Sequence, residues 1–171
     1  MIAMIEAIQS GTLTPRAAVD ASLARIASLD GAVNAFTLVC AARARARADA
    51  QTIAQRAALD AGATFPLLPG LPLAGVPIAV KDLEDVAGLP TSYGCKLFKG
   101  RTDVAARDAP HVARLRAAGA IVVGKSNTPE FGWTLRTNNL AFGTTRHPRC
   151  LAWSPGGSSG GAAAAVAAGM V

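Results

Sequence analysis

Apolar positions along this chain follow two rhythms, one spaced for helices and one packed into short continuous runs. From Pro15, PRAAVDASLARIASLD sets Ala18, Leu23, Ile26 and Leu29 close to one helical stripe. Thr14 offers a capping hydroxyl and Pro15 suits the first helical turn. The helix is expected to end at Asp30-Gly31. A shorter helix over 2–9 precedes it and breaks at Ser10-Gly11. NAFTLV (34–39) has strand-like residues, and 40–62 reads as a second long helix. A proline–glycine loop, TFPLLPGLPLAG, follows.

Gly75 to Val80 (GVPIAV) is a short apolar run, expected as a buried strand with a gap in its ladder at Pro77. It delivers Lys81-Asp82 at its end. Residues 87–107 read as irregular, 108–118 as an amphipathic helix, and Gly119 to Val123 as a second apolar strand. Near the end, Gly156-Gly157-Ser158-Ser159-Gly160-Gly161 runs straight into an alanine-rich helix. Helices alternating with buried strands predict an α/β fold whose sheet is covered on both faces. The strands are too few to complete a sheet of that kind.

The 171 residues, 51% of them hydrophobic, suffice for one ordinary core. No apolar run approaches the roughly 18 residues of a membrane span. The N-terminus carries Glu6 and no leading basic cluster, unlike a secretory signal. Cys40, Cys95 and Cys150 share no metal-like spacing, so a reduced, cytoplasmic protein without metal is expected. The net charge of +6 includes Arg43, Arg45 and Arg47, which spread over a broad helix face. With aromatics at 5% and none interleaved with basic residues, a solvated face is favoured over a nucleic-acid surface. Neither DNA nor a membrane is an expected partner.

Two motif matches fail on their context. Gly119-Ala-Ile-Val-Val-Gly124-Lys125-Ser126 fits the phosphate-loop pattern, but its variable positions read as strand and Asn127-Thr128-Pro129 follows where a helix is required. Gly157-Ser158-Ser159-Gly160-Gly161 fits a nucleophile elbow, yet no strand leads in and His111 and His147 both lie upstream. A third combination pairs Lys81 with Ser158. A serine hydroxyl needs a base to become a nucleophile, and a neutral lysine can be that base. Burial of Lys81 behind GVPIAV would favour neutrality, whereas Asp82 would favour the charge. Taken alone, Lys81 at a strand end reads more readily as a snorkelling surface lysine, and the glycine–serine run more readily as a flexible linker. The apolar sequence behind the glycines weighs against the linker.

GVPIAVKDLEDVAGLPTSYG, AGAIVVGKSNTPEFGW, NNLAFGTTRHP and PGGSSGGAAAAVAAGMV, in this order, resemble the amidase signature family. The likeness begins near Leu13 and covers nearly the whole chain. It implies a mixed sheet covered by helices, present here as the N-terminal part of one domain. In that division 1–62 is mainly helical and 70–171 begins the α/β core. The family cleaves amides, or transfers ammonia from them, with a serine–cis-serine–lysine triad and no cofactor or metal. By position Lys81 matches the base and Ser158 the bridging serine after a cis peptide bond. Ser159, Gly157 and Gly160 support the same loop. The acylated serine of the pattern would lie past Val171, so this chain is expected to be inactive alone.

Asn127, Glu130 and Phe131 are expected to serve turn formation, helix-start charge and core packing. Trp133, Trp153 and Tyr93 suit either a substrate pocket or packing. His147 and Cys150 stand where the family often has asparagine and a polar or acidic residue, and Cys150 is read as an idle thiol. The expected ligand is a small-molecule amide. The alternatives are the amidase-like component of a tRNA-dependent amidotransferase, its A subunit, and a non-catalytic truncated product that self-associates through exposed apolar surface.

Overall fold

Thr14 caps its helix as expected: its Oγ1 accepts a hydrogen bond from Ala17 N at 3.1 Å, with Pro15 in the first turn. The computed structural model describes residues 1–171. In chain order the main elements are helix α1 (Ile2–Gln9), α2 (Pro15–Val33), strand β1 (Phe36–Val39), α3 (Ala41–Asp60), β2 (Pro77–Lys81), α4 (Pro110–Ala117) and β3 (Ile121–Ser126). A two-residue ladder pairs β4 (Asn138–Asn139) with β5 (Gly143–Thr144), and α5 (Gly160–Ala167) closes the series. No helix is long and apolar enough to cross a membrane.

The sheet is mixed, in the order β1-β3-β2, with β1 antiparallel and β2 parallel to the central β3. A bulge separates the pairs Ile78–Val122 and Ala79–Gly124, leaving Val123 as the extra residue. Side chains therefore sort to two faces. Ile121, Val123 and Ala79 pack with Val19, Leu23, Ile26, Ala44, Ala48, Ala164 and Ala165, so α2, α3 and α5 cover one face. Val80 and Val122 pack with Val86, Leu89 and Val112, so α4 and the irregular segment before it cover the other. β1 comes from the mainly helical first third, which thus supplies both a sheet edge and the helices over it.

Three boundaries differ from expectation. α2 passes Gly31 and stops at Val33, because Asn34 takes the left-handed conformation (φ 56°) and its Nδ2 donates to Phe142 O at 2.8 Å. α4 starts only at Pro110 and runs to Ala117. β3 starts at Ile121 and continues through Gly124-Lys125-Ser126, which are strand and no phosphate loop. Gly124 is required there, since a Cβ would collide with Leu38 O and the Phe36 ring of β1.

After α5 the chain turns back into the core. Met170 is fully buried, its carbonyl accepts from Ser22 Oγ at 2.5 Å, and Arg25 Nε donates to Ala168 O at 2.9 Å. These bonds fix α5 against α2. Met170→Ala leaves a cavity beneath α5 and is expected to cost about 2–5 kcal/mol. Chemical denaturation measures this, and an unchanged midpoint would contradict the packing described.

Candidate functional site: Lys81, Ser158 and the loop that carries it

Lys81 is the last residue of β2, paired with Ser126 across the parallel ladder. It lies on the Ala79 face, toward α5, and Asp82 turns to the opposite face. Its Nζ donates to Ser158 Oγ at 2.7 Å. Half-burial pushes the Lys81 amine below its ordinary value of 10.5, with Glu84 pulling partly back. Asp82 was expected to oppose that shift, and it does not. Its carboxylate meets Lys125 Nζ at 2.9 Å, accepts from Thr37 Oγ1 at 3.0 Å and from Ser92 N at 3.3 Å, and takes a further bond from Ser92 Oγ. Lys81 is thus neither a snorkelling surface side chain nor paired with its neighbour.

The glycine–serine run is a built loop rather than a linker. Its Gly157–Ser158 peptide is cis. Thr128 Oγ1 donates to Ser158 O at 3.0 Å. Thr137 Oγ1 donates to Gly156 O at 2.9 Å and accepts from Gly160 N at 3.0 Å. A Cβ on Gly157 would come within 2.9 Å of Leu135 C, so the loop lies directly on the 134–136 backbone. Gly161 N donates to Asn127 O at 3.1 Å, and Asn127 N donates to Ala35 O at 2.7 Å. That chain of bonds ties the start of α5 to the sheet, and a Cβ at Gly161 would intrude on the same backbone atoms. Ser159 occupies the N-cap position of α5 but its side chain makes no capping bond, and it is exposed. Its carbonyl accepts from Ala163 N, so its support comes through the backbone.

Asn127 fulfils its structural expectation. It is fully buried, donates to Thr145 Oγ1 at 3.1 Å, and accepts from Asn139 Nδ2 at 2.8 Å. Glu130 opens a 3-10 turn over Glu130–Gly132. Phe131 contradicts the core-packing expectation: it is 57% exposed with φ 50°, stacked on Tyr93 at 6.0 Å and edge-on to Phe98 at 6.2 Å. The next residue, Gly132, is also left-handed (φ 70°), and a Cβ there would come within 2.8 Å of Leu83 Cδ1. Beside this turn lies an open cleft of about 620 Å³, lined in part by Phe131, Trp133, Asn139 and Leu140. Trp133 therefore sits at a cleft, whereas Trp153 packs edge-on to His147 at 6.3 Å, outside it. Cys150 is half-buried and unbridged.

This geometry coincides with a sequence match. The amidase family profile covers residues 17–171. The chain belongs to the amidase signature family. It is 48% identical over 163 residues to the putative amidase AmiB2 of Mycobacterium tuberculosis (strain ATCC 25618 / H37Rv), covering 95% of this chain and 32% of that protein. To the A subunit of the glutamyl-tRNA(Gln) amidotransferase of Roseiflexus castenholzii it is 45% identical, covering 96% and 31%. Among solved structures it is similar to a bacterial aryl acylamidase of the amidase signature family, at TM-score 0.84 and 31% identity, covering 98% of this chain and 33% of that one. The chain thus spans about a third of the length of these relatives.

Within the amidase frame, several site residues escaped the sequence reading. Thr128 and Thr137 grip the loop from strand-flanking turns, and no local pattern distinguishes a gripping threonine from a surface one. Lys125 reads in sequence only as a phosphate-loop lysine, and its burial emerges once β3 is known to be central. Thr137→Val leaves Gly160 N without its acceptor and Gly156 O without one of its donors, at a cost of about 1–3 kcal/mol. Amide hydrogen exchange at Gly160 should accelerate in step with that loss, and unaltered protection would contradict the grip.

Proposed function

We propose that this chain carries the proton-relay half of an amide-cleaving site, with Lys81 as the proton acceptor and Ser158 as the bridge. The observation that carries the reading is the 2.7 Å separation of Lys81 Nζ and Ser158 Oγ at the start of α5. A neutral Lys81 amine accepts the Ser158 proton along that line, and Ser158 in turn takes the proton of an acyl-accepting serine. That serine attacks the amide carbonyl. The amide nitrogen then leaves as ammonia, taking the relayed proton, and water releases the carboxylate. In the family pattern the acyl-accepting serine and its oxyanion donors follow past Val171. The 171 residues therefore hold the relay and depend on that further sequence for turnover.

Burial of Lys81 supports the reading, because it extends the neutral amine to lower pH than an exposed lysine allows. The active form is the deprotonated one, so activity rises with pH up to a plateau reached below the ordinary lysine range. Trp133, Leu135 and Leu140 are largely exposed, which supports an association of the isolated chain through apolar surface. An amidotransferase component feeding ammonia to a partner uses the same relay, and a relative of that kind at 45% identity keeps this second reading in view.

Ammonia release from simple carboxamides tests the reading. The 171-residue chain alone is expected to be silent and to sediment as more than a monomer. A protein containing it and extending to the length of its relatives is expected to turn over. In that protein Lys81→Ala and Ser158→Ala should each lower kcat by about a thousandfold or more. Turnover by the isolated chain, or full activity of either variant, would overturn the proposal.

A further inference from the structure

We propose that Lys125 is a positioning residue for the Lys81–Ser158 pair: it holds the Asp82 carboxylate on the far face of β2 and β3, so that the negative charge next in sequence to Lys81 stays paired and away from that amine. The proposal rests on the reading of Lys81 as proton acceptor.

Neighbouring Cα atoms are only about 3.8 Å apart, so an aspartate beside a lysine is poised to hold it charged. A carboxylate within about 4–6 Å favours the protonated amine, which has no lone pair to accept a proton. Two features of this fold separate the two groups. Strand alternation sends Lys81 toward α5 with Ala79, and Asp82 toward the α4 side with Val80. Lys125, paired with Val80 across the ladder, projects to that same α4 side and meets Asp82 Oδ1 at 2.9 Å.

Lys125 is fully buried, and its remaining bonds run to Pro90 O at 3.2 Å and Thr91 Oγ1 at 3.1 Å. A buried ammonium with a single carboxylate partner is costly unless well matched, and replacing such pairs by apolar residues is often neutral for stability. Its presence one strand from Lys81 thus asks for a role besides packing. Thr37 and Ser92 also hold Asp82, but both are neutral, and Lys125 is the cation among its partners. On its own side Lys81 meets the uncharged Ser158 hydroxyl, with Glu84 contributing from the turn after β2. Glu84 Oε2 lies 3.8 Å from His111 Nε2 of α4, which shares its field.

The titration of Lys81 is readable in the 171-residue chain without turnover, by NMR of ¹³Cε- and ¹⁵Nζ-labelled lysine. Lys81, Lys96, Lys99 and Lys125 are its lysines, and Lys81→Arg assigns the resonance. Lys125→Met should lower the neutral fraction of Lys81 about tenfold at a fixed alkaline pH, and Asp82→Asn should raise it by a similar factor. The double variant Asp82→Asn/Lys125→Met should return within about twofold of the parent. Opposite signs in the single variants, cancelling in the double, are not produced by a packing role. No movement in either single variant, or movement in the same direction in both, overturns the proposal. Where circular dichroism shows Lys125→Met unfolded, the direction of the Asp82→Asn shift decides. Failure of Lys81 as base would appear in ammonia release and leave this titration intact, so the two ideas fail separately.

Discussion

A proton can pass between Lys81 and Ser158 only if side chains 77 positions apart stay at 2.7 Å, and much of the fold can be understood as the means of holding that distance. Lys81 is fixed by the end of β2, whose ladder to β3 runs from Pro77–Ile121 to Lys81–Ser126. Ser158 is fixed by a loop whose backbone is bonded to Asn127 and Thr128, directly after β3, and to Thr137, directly before β4. β3 and the turn after it thus reference both partners to one element. α5, bonded at its start to Asn127 and at its far end to α2 through Ser22 and Arg25, stops the loop from drifting.

Electrostatics follow from the same placement. On one face of the sheet a half-buried lysine meets a hydroxyl, and on the other a buried lysine meets a carboxylate. The period-two alternation of β2 puts adjacent residues with opposite demands into different surroundings without any extra loop. Burial then acts on Lys81 with only Glu84 opposing it.

Much of this was legible in the sequence, and the parts that were not share a cause. Thr14-Pro15 announced α2 because a cap and a first-turn proline act within one turn of helix. The apolar sequence behind the glycine–serine run argued against a linker, and what the run packs on, the 134–136 backbone and Asn127, was decided elsewhere in the chain. The end of α2 was misplaced because Asn34 gains its left-handed conformation alongside bonds to Phe142 and Thr144, more than a hundred residues away. β3 was cut short at Val123 since Gly124-Lys125 resembles a loop until β1 is seen lying across the glycine. The partner of Asp82 was invisible for the same reason: its nearest charge in sequence is Lys81, and its nearest in space is Lys125. Phe131 departs from the burial its hydrophobic character suggests: its backbone takes the left-handed conformation, and its ring meets Tyr93 and Phe98, distant in sequence, at the surface. The resemblance named Lys81 and Ser158, and geometry gave the reason they belong together.

The central claim is that Lys81 and Ser158 act as one relay. A double-mutant cycle in a protein extended to the length of its relatives tests it most directly, comparing Lys81→Met, Ser158→Ala and the double variant by kcat for ammonia release. Groups acting as a unit are non-additive, so the double variant is predicted to be no slower than the slower single variant. Losses that multiply, each substitution exacting its full cost in the presence of the other, would contradict the account.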